Sequence, residues 1–188
     1  MAPPTTPAPI IEPVRPDDLT VQPGGRRLGE ILVDANVVSR MQVAAALAES
    51  QRGVAKFLGQ RLIEAGALSE RDLAWAVGRQ HSLEAVDLRE VTPQPAATKL
   101  LDEATARQLV AIPLAVHGET VIVAVAFPAT AGILRESIGR PLIIKVAAHS
   151  DIVRAIGNSY RALTGVSSQV RVFEAQHSLR REVARLDP

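Results

Sequence analysis

Arg27-Leu28-Gly29-Glu30-Ile31-Leu32-Val33-Asp34-Ala35-Asn36-Val37-Val38-Ser39 returns thirty residues later as Phe57-Leu58-Gly59-Gln60-Arg61-Leu62-Ile63-Glu64-Ala65-Gly66-Ala67-Leu68-Ser69. Apolar character survives at each apolar position of the pair, and the match runs on through Val43 over Leu73 and Leu47 over Val77. Such self-similarity marks a duplicated supersecondary unit. Within each copy the i, i+3, i+4 apolar spacing breaks at Asn36 or Gly66 and restarts after Ser39 or Ser69, which reads as two short helices. Each serine suits an N-cap, with Gln42 or Asp72 three residues on completing a capping box or a close relative of one. Gly66 suits the left-handed residue that ends a helix, and Asn36 is a usual substitute for glycine there. The spacing predicts helices over 28–35, 39–51, 58–65 and 69–80, arranged as two similar hairpins.

Outward from the repeat the pattern changes. Residues 1–25 hold seven of the 13 prolines and read as a disordered, Pro-rich leader, more a spacer than a PxxP ligand. Beyond residue 82, Ala85 to Leu88 suits a short strand and Pro95 to Leu109 one or two helices. Val110 to Phe127 holds two β-rich runs around His117-Gly118-Glu119, a predicted hairpin. A helix near 130–138, a strand from Leu142 to Ala147 and a helix from an N-capping Ser150 to Leu163 complete the unit. The expected fold is helix-rich α+β: a duplicated helical-hairpin subdomain over 26–81, a small α+β subdomain with a β-hairpin over 82–165, and a linker or tail over 166–188.

Composition narrows the function. With 47% hydrophobic residues the chain can bury a core, and 3% aromatics favour packed aliphatic helices. Formal charge is +1, so no overall field draws it to nucleic acid or to an anionic membrane, and an anion site has to be local. Zero cysteines exclude disulfides and thiolate sites. No apolar run approaches the ~20 residues that span a bilayer, and the start lacks the pattern of a signal peptide, so cytoplasm is the expected compartment and membrane insertion is not expected. His81, His117, His149 and His177 lack metal-ligand spacing. The pairs Asp87 with Glu90 and Asp102 with Glu103 read as solvated faces, and Trp75 as core filler on the fourth helix. No G-x-x-x-x-G-K-[ST] cradle occurs in the chain, and no nucleophile, base or metal constellation suggests an enzyme.

The doubled pattern R-L-G-x-x-L-x-x-x-G-x-L-x-x-x-x-L-x-x-x-L-x-x-Q resembles the MshEN domain of type IV pilus assembly and type II secretion ATPases. Copy one supplies Arg27, Leu28, Gly29, Leu32, Val38 and, after one extra residue, Gln51; copy two supplies Leu58, Gly59, Leu62, Gly66, Leu68 and Gln80. The likeness continues through Val86-Asp87-Leu88, Lys99-Leu100-Leu101 and Val110 to Leu114, although only the double motif is specific. The resemblance implies a regulatory region that binds cyclic di-GMP, needs no cofactor, precedes a C-terminal ATPase motor and meets a pilus or secretion platform protein. A two-fold dianion with two guanines suits a duplicated half-site. Arg27 would pair with phosphate or a guanine edge, Gly29 and Gly59 would admit the ligand to backbone N–H groups, the leucines would face the purines, and Gln51 and Gln80 would bond to base edges or the ligand backbone. Copy two departs from the pattern with Phe57 in place of its arginine, and copy one with Asn36. Two readings follow: retained cyclic di-GMP binding, or a degenerate repeat kept for protein docking.

Overall fold

The structure, a computed structural model, describes residues 26–50 and 57–163, without the side chains of 49 and 50. The leader, the 166–188 tail and Gln51 therefore lie outside the described residues. Two elements of each repeat copy form as the capping chemistry dictates: α1 (Leu28–Asp34) and α2 (Arg40–Ser50), then α3 (Leu58–Glu64) and α4 (Glu70–His81). Asn36 has φ +56° and Gly66 φ +68°. Around them Val37 N–H donates to Leu32 O at 3.0 Å and Asn36 N–H to Val33 O at 3.0 Å, with Ala67 to Leu62 and Gly66 to Ile63 repeating the pattern at 2.9 Å. This is the Schellman stop, which satisfies carbonyls that the ending helix leaves open. At the restarts, Ser39 N–H donates to Gln42 Oε1 at 2.7 Å while Gln42 N–H donates to Ser39 Oγ at 3.2 Å. Asp72 N–H likewise donates to Ser69 Oγ at 3.1 Å.

The copies interlock rather than standing as separate hairpins: α1 packs on α4 and α2 on α3. Leu32, Leu62, Val38, Leu68 and Ala76 form the shared core of this bundle. Burying such a leucine removes its surface from water at about 25 cal/mol per Å², so neither copy would keep its apolar face dry alone.

The second unit is a four-stranded sheet in the order β1-β4-β3-β2, built from β1 (Glu84–Ala85), β2 (Ala111–His117), β3 (Thr120–Val125) and β4 (Leu142–Val146). The predicted hairpin is β2 and β3, antiparallel around Gly118 at φ +60°, and β4 runs parallel to both β3 and β1. Alternation sets the buried face: Val121, Val123 and Val125 of β3 and Leu142, Ile144 and Val146 of β4 are buried. Pro113 sits in the edge strand β2 next to a register shift, where a missing N–H is tolerated. Helices α5 (Pro95–Thr98), α6 (Glu103–Leu109), α7 (Ala131–Ile138) and α8 (149–163) cover the sheet. Tyr160 of α8 donates from its hydroxyl to Leu101 O at 2.6 Å and Thr98 O at 3.3 Å, tying α8 to the end of α5 and the segment after it.

Two expectations change here. The strand expected over 85–88 is only Glu84–Ala85. Ser150 does not cap α8, which already begins at 149; its backbone N–H instead donates to the Glu70 carboxylate at 2.8 Å, so the open helix end is satisfied from the other subdomain. The seam continues through Asp151, whose side chain is 5% exposed and pairs with Arg71 Nε at 3.3 Å and Arg154 at 2.6 Å. Asp87 and Asp102 likewise have structural work. Asp87 holds Arg89 at 2.6 Å, and Asp102 accepts Thr105 N–H at 2.9 Å to cap α6.

Candidate functional site

The interlocked helices bring Arg27, Leu28, Gly29 and Leu58 to one open groove of about 650 Å³. Its apolar lining includes Val33, Val43, Ala44 and Leu47, and its charge comes from Arg26, Arg27 and Arg40 against Glu30 and Asp34. The local chain explains the placement. Arg27 occupies the extended N-cap position of α1, and its N–H donates to Glu30 Oε2 at 3.1 Å, which leaves its guanidinium outside the helix. Asp34, at the end of the same helix, forms an ion pair with Arg26. An arginine-bearing, largely apolar groove can take a ligand with a flat apolar body and a phosphate.

The remaining expected residues divide. Leu32 at 0%, Leu62 at 1%, Val38 at 5% and Leu68 at 6% exposure are core, so they support the bundle and cannot face a ligand in this arrangement. Gly59 is buried, and a methyl group there would lie 2.5 Å from Leu73 Cδ1, so the glycine makes room for a helix rather than for a ligand. Gly29 serves packing as well, with a methyl group 3.1 Å from Val43 and 3.4 Å from Leu58. Gly66 is exposed at its turn and lines neither groove.

Gln80 lines an adjoining groove of about 830 Å³ with Arg26, Asp34, Trp75 and Arg79, and its Nε2 donates to Arg26 O at 3.4 Å. Trp75 is 39% exposed, with the Arg79 guanidinium 5.9 Å from its ring centre, and is not core filler. Because α4 turns Ala74, Ala76 and Gly78 inward, its bulky neighbour is left outside. Phe57, 83% exposed, lines neither groove. Arg26 and Arg40 were not legible as site residues, since nothing in their local sequence distinguishes them from ordinary surface arginines. Among the described residues no cluster of three or more histidine and acidic side chains is placed to hold a metal.

Residues 81–166 match the family model of the MshEN domain. Together with the fold, this makes the chain similar to the N-terminal MshEN region of type IV pilus and type II secretion ATPases. In particular, the chain is similar to the structure of MshE with cdg, at TM-score 0.64 and 29% identity over 72% of this chain and 99% of that one. The N-terminal domain of XpsE shares the fold at TM-score 0.57 and 23% identity, over 70% of this chain and 92% of that one. The type IV pilus assembly ATPase PilB of Thermus thermophilus is 36% identical over 104 residues, 55% of this chain and 12% of that protein. PilB of Myxococcus xanthus is 30% identical over 102 residues, 54% of this chain and 18% of that protein. The matched stretch thus spans less than a fifth of either ATPase. The family model falls on the α+β unit, the less specific part of the resemblance, and begins at residue 81, just past the doubled motif, which ends at Gln80.

Proposed function

We propose that this region is a regulatory domain of a pilus or secretion assembly ATPase, binding cyclic di-GMP in the Arg27–Leu28–Gly29 groove and reporting it to a motor that follows in the longer protein. The observation that carries this reading is the groove itself: residues from both repeat copies meet there with three arginines over an apolar lining. The likeness to MshE with cdg points to the same ligand. The role is binding rather than catalysis, in the cytoplasm, alongside a platform protein; no described helix is long and apolar enough to cross a membrane. Ligand binding would act on the motor only through a difference in affinity between two arrangements of the region.

Calorimetric titration tests the reading. Cyclic di-GMP should give saturable heat and raise the melting temperature, and Arg27→Ala should weaken binding about tenfold to a hundredfold, the worth of one charge-assisted hydrogen bond. Absence of both heat and thermal shift in the wild type would sink it.

Exposed Met41 and Phe57, at 82% and 83%, favour a second reading in which the repeat is a protein-docking surface. Capture of a platform component that survives Arg27→Ala without nucleotide, and fails with Phe57→Ser, would support that alternative.

A further inference from the structure

The two repeat copies part company at the positions that carry charge beside the groove. Where copy one has Arg27 and Arg40, the thirty-residue offset gives copy two Phe57 and Glu70. Glu70 is already committed, since its carboxylate accepts Ser150 N–H at 2.8 Å at the start of α8, and the next residue, Arg71, pairs with Asp151 at 3.3 Å. Phe57 is exposed and lines neither groove. Copy one is free of such duties. Arg40 opens α2 and lines the same groove as Arg27. Among the described residues neither guanidinium has an ion-pair or hydrogen-bond partner. The groove's two carboxylates have other partners, Asp34 the Arg26 guanidinium and Glu30 the Arg27 backbone N–H, and neither pairs with the Arg27 or Arg40 guanidinium.

We infer that Arg40 is a second anion-binding side chain of this groove, supplying for a phosphate-bearing ligand the cation that copy two lacks. The duplicated motif then has divided labour: copy one provides both positive charges, and the matching face of copy two holds the α+β unit. Two guanidiniums of fixed charge, each able to offer a forked pair of donors, suit a dianion better than one. The inference rests on the reading of the groove as a cyclic dinucleotide site.

The test is titration of the whole chain with cyclic di-GMP at low and high salt, for wild type, Arg40→Ala and Arg40→Lys. Arg40→Ala should weaken binding about tenfold or more, Arg40→Lys less, and the alanine variant should lose part of the salt dependence because one exposed charge contact is gone. Melting temperature without ligand should stay unchanged in both, since Arg40 is exposed. Wild-type binding with an unaltered Arg40→Ala overturns the inference and leaves the proposed function standing. Equal losses in both variants together with a lowered unliganded melting temperature also overturn it, because Arg40 would then act through the fold. No binding by the wild type overturns the inference and the proposed function together.

Discussion

A single methyl group separates two glycines that look alike in the sequence. At Gly78 in α4 it would lie 2.8 Å from the carbonyl oxygen of Leu83, a backbone atom that cannot rotate away, whereas at Gly132 in α7 it would meet nothing within 4 Å. Gly78→Ala should therefore destabilise the protein by about 1–3 kcal/mol through overpacking. Gly132→Ala should stabilise it by about 0.5–1 kcal/mol by reducing the freedom of the unfolded chain. Thermal melts resolve the contrast, since each kcal/mol moves the midpoint of a domain this size by roughly 2–4 °C. The same scale shows where motif reading stops. Leu32 and Leu62 fit a ligand motif and a helical core equally well, because both demand an apolar residue at that spacing; only their burial separates the two roles. Arg27 stands out in the sequence because a core has no use for a charged residue there, and it lines the groove.

Local capping made the elements legible. The serine caps and left-handed stops operate over four or five residues, so all four repeat helices emerge close to their expected bounds. Ser150 shows the limit, because the carboxylate that satisfies its N–H comes from a residue eighty positions away. Helix α8 offers its own test at Tyr160, the sole tyrosine. Burial pushes its phenol up to about 12, with the charges of Asp102 and Glu103 adding to the shift. A raised folded value means that the neutral phenol contributes stability fully present below the unfolded value near 10. That stability is lost as pH rises through the folded value. Ultraviolet titration should place the folded phenolate midpoint near 12 and the denatured one near 10, and Tyr160→Phe should flatten the alkaline arm of the stability curve. A folded midpoint near 10 would show that the phenol is not buried against α5 and α6 as described.

Over the whole molecule, α4 joins the two units: its C-terminal end lines the second groove, while its N-terminal Glu70 and Arg71 grip α8. Arg71→Ala leaves the buried Asp151 with Arg154 alone, and should cost about 1–3 kcal/mol, the usual penalty when a buried acceptor loses one of its partners. Hydrogen exchange should then quicken along the α4–α8 seam while the β3–β4 core stays protected; unchanged protection at the seam would show that the ion pair does not hold the units together. The sequence by itself determined the duplicated helices, their stops and starts, the β-hairpin and the family likeness, because these rest on short-range periodicity and capping. Tertiary structure alone decided that the copies interlock, that Arg40 joins Arg27 in one groove while Gln80 faces another, and that copy two's charged face seals the seam. The reason is physical: helical periodicity tells which face of an element is apolar, but which partner covers that face, and which distant charges meet as a result, depends on how all the elements pack at once.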